Sequence, residues 1–238
     1  MDIPKILLDH IKDGQLILFL GSGASIGAHH PNNIEPPIGS KLANNLADKF
    51  LGAEFRDRPL EQVAELAISE SGFFEVQSYI EEIFKNFSPA DFHKVIPTLR
   101  WAAIATTNYD LIIERAYNEV HNKIQNLIVF KKNGERVEEK LRSVDNVVYL
   151  KLHGCITNIA DENTPLILTP EQYITHKKGR DRLFERLQSL AYEFPILFVG
   201  HSLSDTDIRT ILYELSQLGE AKPRSYILAP HMTSLNFP

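Results

Sequence analysis

Four short stretches of this chain carry side chains that could do chemistry. Asn108 and Asp110, in Thr106-Thr107-Asn108-Tyr109-Asp110, place an amide and a carboxylate in one turn. His153 can take up a proton near neutral pH, and Gly154 after it leaves room for a ligand's close approach. Gly200-His201-Ser202-Leu203-Ser204-Asp205 offers two hydroxyls and a carboxylate suited to ribose or phosphate oxygens. Gly21-Ser22-Gly23-Ala24-Ser25 is built of small residues that let backbone N–H groups approach a pyrophosphate. Each stretch also has a plainer reading. Asn and Asp are common turn and cap residues, so Asp110 could simply start a helix; Ser204 or Asp205 could do the same, with Asp207 in the first turn. Ile26 stands where the GxGxxG fingerprint has its third glycine, with Gly27 one place later, so the first loop reads equally as a tight strand-to-helix turn. A lone histidine is more often structural, and among nine histidines His201 is the rival to His153.

The elements around these stretches alternate. Apolar strand patterns at 15–20, 101–106, 147–152 and 195–200 each run directly into one of the four stretches, and in open α/β sheets ligands bind where loops leave the carboxyl ends of strands. Helical spacing is present at 3–12, 39–51, 60–69, 73–87, 110–120, 182–193 and 205–218. Ser88-Pro89 resembles an N-cap with proline at the first helical position, opening a further helix that stops near Pro97. Asn133-Gly134 between 126–131 and 135–141 is a hairpin signal, and the charged stretch 131–140 is then a solvated hairpin. A short strand at 166–169 precedes a helix beginning near Pro170, and a final strand covers 225–229. The expected fold is α/β and Rossmann-like: a mostly parallel sheet with helices on both faces and an inserted helical module at about 38–98. One domain spans 1–238, and it could be the N-terminal part of a longer protein.

Composition narrows the class. With 238 residues, 43% of them apolar, the chain can bury a substantial core. A net charge of −6 argues against a surface built to grip phosphate backbones, so direct nucleic-acid binding is not expected. The single cysteine, Cys155, excludes an internal disulfide and a four-cysteine zinc site, and it suits a reducing cytoplasm. The longest apolar runs, 16–20 and 195–199, fall far short of the roughly 18 to 20 residues needed to cross a bilayer, and the start lacks a signal peptide's features. Cytoplasmic residence without membrane contact is expected.

Taken in order, the four stretches resemble the sirtuin superfamily, whose pattern is a GAGxS loop, a T-Q-N-x-D loop, an H-G pair and a G-T-S-type loop. The resemblance covers roughly residues 15 to 230. It implies that Asn108 positions the nicotinamide ribose and water, that His153 is the general base, and that the two form the catalytic pair. The implied NAD contacts are Gly21, Ser22, Gly23, Ala24 and Ser25, with Thr107, Asp110, Gly200, Ser202 and Asp205. Departures point to a branch. Protein-deacylating sirtuins carry a four-cysteine zinc ribbon, which one cysteine cannot form. Thr107 replaces the usual glutamine and His201 a threonine, and the helical segment 39–87 stands where deacylases carry a compact cofactor loop. The chain looks like the sirtuin-like NAD-hydrolysing domains of bacterial antiphage systems, often fused or partnered to sensor, Argonaute or ATPase modules. The resemblance implies NAD as substrate, no metal, water as acceptor, nicotinamide and ADP-ribose as products, NAD depletion as the role, and a homo-oligomer. The alternatives are an NAD-dependent protein deacylase and a non-catalytic module that binds NAD or ADP-ribose.

Overall fold

In β1 (Ile17–Leu20) all four side chains are buried, as they are in β2 (Ala103–Thr106), the pattern of strands covered on both faces. The computed structural model describes residues 3–134, 143, 145–161, 164–219 and 223–228, with the side chains of 176–178 left aside. The remaining strands are β3 (Asn126–Phe130), β4 (Asn146–Lys151), β5 (Ile196–Val199) and β6 (Ser225–Leu228). All six form one sheet in the order β3-β4-β2-β1-β5-β6, and every pairing is parallel. β1 is flanked by β2 and β5 in register, Ile17 opposite both Ala103 and Ile196. The chain therefore winds first to one side of β1 and later to the other. The crevice at the carboxyl end of β1 is the switch point at which such sheets take ligands.

Helices cover both faces, as the alternation of apolar strands and helical patterns requires. They are α1 (Lys5–Asp13), α2 (Gly39–Phe50), α3 (Leu60–Ser71), α4 (Phe73–Phe84), α5 (Ile112–Glu119), α6 (Pro170–Glu193) and α7 (Thr206–Ser216). Successive strand side chains point to opposite faces. Ile17, Phe19, Ala103 and Ala105 pack with Leu183 and Leu187 of α6 and Ile208 and Ile211 of α7. Leu18, Leu20, Ile104 and Tyr149 pack on the other face with Leu7 of α1 and Ile113 and Tyr117 of α5. The helices α2, α3 and α4 have a third core of their own, with Leu46, Val63, Ala67 and Ile80 at its centre, which joins the sheet domain through Ile112, Ile156, Leu166 and Leu168.

Several local expectations are corrected. No α-helix opens at Ser88. Its backbone pairs with His29, N to O at 2.8 Å and O to N at 2.9 Å, so it cannot start a helix, and a 3-10 turn at His93–Thr98 takes that place with Pro97 inside it. Segment 166–169 is buried but joins no ladder. Side chains satisfy its backbone instead: Leu166 N–H donates to Gln77 Oε1 at 3.0 Å, and Leu168 N–H to Gln172 Oε1 at 2.7 Å. The helix expected at 182–193 is the second half of the 24-residue α6, which starts at Pro170 under a Thr169–Gln172 capping box. The second arm of the hairpin expected at 135–141 lies outside the described residues; β3 pairs with β4, in parallel. Among the described residues no helix is long and apolar enough to cross a membrane.

Candidate active site

The exits of β1, β2, β4 and β5 open into one cavity of about 830 Å³. Ser22, Ser25, Thr107, Asn108, Asp110, His153, Ser202 and Asp205, singled out above from separate parts of the chain, all line it. Gly21, Gly23, Ala24 and Gly200 do not; they hold the loops that shape it.

Asn108 stands in a closed network. Its Nδ2 donates to the Gly21 carbonyl at 2.9 Å and to Ser25 Oγ at 3.1 Å. A carbonyl can only accept, so the amide nitrogen must face the β1 loop, and Oδ1 is the atom left free to act on a ligand. Ser25 Oγ donates in turn to Asp110 Oδ2 at 2.7 Å, while Asp110 Oδ1 accepts from Ile112 N–H at 3.0 Å. Asp110 is thus both the start of α5 and part of the site. Beneath it the fully buried Lys151, the last residue of β4, donates to the Asp110 carbonyl and to Glu114 Oε1 at 3.2 Å. Glu114 keeps the Lys151 amine charged despite burial, which by itself would lower its pKa.

His153 is 4% exposed, its carbonyl accepting from Ile167 N–H at 3.0 Å. Nε2 lies 3.1 Å from Asp205 Oδ2, near enough for an ion pair but turned off the line of a well-made hydrogen bond. Asp205 caps α7 by accepting from Ile208 N–H at 3.0 Å. Burial disfavours its charge, yet the His153 imidazole and the Ile208 N–H outweigh burial and hold the carboxyl at about 2. The unfolded chain therefore binds this proton first as pH falls. The resulting stability, about 2 kcal/mol, is whole above about pH 4 and lost between about pH 4 and 2. In denaturant melts, wild type is expected to exceed Asp205→Asn by a margin that shrinks over that interval; a constant margin would contradict it.

Gly154 does not make room for a ligand. Its φ is +98°, and a Cβ there would stand 2.9 Å from Arg180 Nη2 and 3.0 Å from the Pro165 carbonyl. The space belongs to Arg180, fully buried in α6, which donates to the carbonyls of Thr164 and Pro165 at 2.5 and 2.6 Å and pins the segment leading to Ile167.

The loops after β1 and β5 meet backbone to backbone. Gly23 N–H donates to the Gly200 carbonyl at 2.8 Å, and Gly21 N–H to the Val199 carbonyl at 3.0 Å. His201 Nδ1 accepts from Leu203 N–H at 2.9 Å and its ring packs edge-on against Phe19, so this rival histidine is an anchor of its own loop that also reaches the cavity. Burial pushes its pKa down.

Some site residues were not legible. His93 is buried and steadies the β1 loop: Nε2 donates to the Ala24 carbonyl at 2.7 Å, and Nδ1 accepts from Ala90 N–H at 3.0 Å. Tyr173 places its ring edge-on to His153, centroids 5.1 Å apart, and its hydroxyl 3.3 Å from Asp205 Oδ2. The Thr169–Gln172 capping box could have placed Tyr173 in a first helical turn, but nothing local says which way that turn faces. Leu42, Leu60, Glu61 and Phe84 of the helical module also line the cavity. Among the described residues no group of three or more His, Cys, Asp or Glu side chains is placed to hold a metal.

The fold and the site together define a Rossmann-type α/β protein whose ligand cavity opens at the switch point of a parallel sheet. The chain belongs to the SIR2-like domain family, whose model matches residues 102–236. It is 24% identical over 215 residues to the NAD(+) hydrolase ThsA of Enterococcus faecium, an alignment covering 89% of this chain. The chain spans 42% of that relative's length. It also shares its fold with a SIR2 homolog whose crystal structure is of an NAD complex, with a TM-score of 0.51 and 12% identity over 95% of this chain and 88% of that one.

Proposed function

We propose that this domain binds NAD in the 830 Å³ cavity and hydrolyses the bond between nicotinamide and ribose. The observation that carries the proposal is the arrangement of Asn108, whose amide hydrogens are both taken by the β1 loop so that Oδ1 is free to act, in the same cavity as His153. Breaking the C1′–N bond sends its electron pair to the nicotinamide nitrogen and leaves oxocarbenium character on the ribose. A preset carbonyl oxygen stabilises that developing charge without reorganising, and it can orient a water on C1′. His153 takes the proton from water or from a ribose hydroxyl. Asp110 and Ser25 face the carboxamide, Ser22, Ser202 and Thr107 the ribose and phosphate oxygens, and Gly21, Gly23, Ala24 and Gly200 shape the loops that hold them.

The single cysteine, which cannot supply the zinc ribbon of a protein deacylase, supports water as the acceptor in this reading. The E. faecium relative, named as an NAD(+) hydrolase, supports the same reading. NAD depletion in antiphage defence, switched by self-association or by a sensor, Argonaute or ATPase module, is the role we assign. The test is incubation with NAD in ¹⁸O-water. Nicotinamide and ADP-ribose are expected in equal amounts, with the label at the ribose C1′ hydroxyl. NAD bound but unconsumed in the presence of the whole assembly would support the sensor reading, and acetyl release from an acetyl-lysine peptide the deacylase reading.

A further inference from the structure

The two oxygens of Asp205 make different contacts. Oδ1 accepts from Ile208 N–H at 3.0 Å, and that cap fixes the carboxylate on the rigid end of α7. Oδ2 is thereby placed 3.1 Å from His153 Nε2, and it also accepts from the Tyr173 hydroxyl at 3.3 Å. The Tyr173 ring stands at 89° to the imidazole and packs against it. The two side chains are only 5% and 8% exposed, so their charges act on one another with little screening.

We propose that Asp205 is a positioning residue for His153, holding the imidazole in place and stabilising the imidazolium it becomes, rather than a contact to ribose or phosphate oxygens. This rests on the NAD-cleaving reading above. In that reaction the water oxygen bonds to C1′, the C1′–N electron pair leaves with nicotinamide, and the water proton passes to His153 and then to solvent. For that interval the site holds a buried cation, and Asp205 is the carboxylate that meets it. The other groups nearby do not replace it. Burial disfavours the charged form of His201, and it pushes the phenols of Tyr173 and Tyr109 well up, so they stay neutral. Asp207, two residues on, lines the same cavity, and its charge adds to what keeps the Tyr173 phenol neutral.

Asp205→Asn tests this, because asparagine keeps an oxygen for the Ile208 cap while the charge is lost and an amide nitrogen, which cannot accept, stands where Oδ2 faced His153 and Tyr173. The expected result is a fall in kcat of at least about tenfold with KM for NAD within about threefold. Asp205→Asn combined with His153→Gln should lose no more than His153→Gln alone. A second readout needs no turnover: carboxyl ¹³C titration of the full chain, in which the Asp205 midpoint of about 2 should rise toward 3.8 in His153→Gln. A raised KM with kcat intact, additive losses, or an Asp205 titration indifferent to His153 would each overturn the proposal. Absence of nicotinamide release by wild type would count against the NAD-cleaving reading, while the carboxyl titration still decides whether the two side chains are coupled.

Discussion

Asn108→Ala is expected to slow nicotinamide release by about 10²–10³-fold while NAD still binds, the loss found when one preset polar group is removed from the site of developing charge. The side chain makes two hydrogen bonds, to Gly21 O and Ser25 Oγ, and both serve to aim Oδ1. Removing it takes away an interaction that strengthens as the C1′–N bond breaks, so kcat should fall far more than KM rises. His153→Ala should fall within about 10²–10⁴-fold of wild type, as loss of a general base does. Ser25 would lose a donor but keep Asp110 as its acceptor at 2.7 Å, so the loop should stay folded and thermal midpoints should move little. Single-turnover rates with bound NAD measured separately decide the matter. A rate within about threefold of wild type would remove Asn108 from the mechanism, and so would a loss traced wholly to binding.

Gly200→Val is expected to be the most damaging single change to the scaffold. The residue has φ +62°, and a Cβ would lie 2.1 Å from the Ala24 nitrogen and 2.4 Å from the Gly23 carbonyl carbon. These are backbone atoms of a loop held by the Gly23 N–H to Gly200 O bond of 2.8 Å, so they cannot turn aside as a flexible side chain would. A left-handed conformation for a β-branched residue costs about 1–3 kcal/mol, and forcing the two loops apart adds about 1–3 kcal/mol. For a domain of this size the sum corresponds to a fall in Tm of about 10 °C. Gly39→Ala is the matched control, since nothing lies within 4 Å of its Cβ position, and it should not lower Tm. Equal Tm for the two variants would show that the loops can separate freely. Because Gly21 O, the partner of Asn108, belongs to the displaced loop, Gly200→Val should also lose activity at temperatures where it remains folded.

How far the sequence could be read depended on the range of the interaction. The strand at 15–20 is recognisable because five apolar residues in a row have few alternatives to a strand buried on both faces, and β1 lies within it with all four side chains buried. The capping box at Thr169 and Gln172 is written in adjacent turns, so the start of α6 near Pro170 was accessible. Ser88-Pro89 misled because its backbone is taken by His29, a partner 59 residues away. Segment 166–169 misled for a related reason: it is as apolar as a strand, yet its backbone N–H groups are taken by the Gln77 and Gln172 side chains and the His153 carbonyl rather than by a strand ladder.

The sequence by itself determined which residues stand at the strand exits and what each can do, because an apolar run followed by polar and small residues is a local pattern. Asn108, His153, Ser25 and Asp205 were visible as chemistry without partners. The tertiary structure decided the partners. Strand order sets β1 between β2 and β5, and that order alone brings Ser25 to Asn108 across 83 residues and stacks Gly23 against Gly200. It also turned Gly154 from a supposed gap for a ligand into the seat of Arg180, and Asp205 from a supposed sugar contact into the neighbour of His153. Such contacts depend on how the sheet winds and how its loops close over one another, and no window along the chain contains that information.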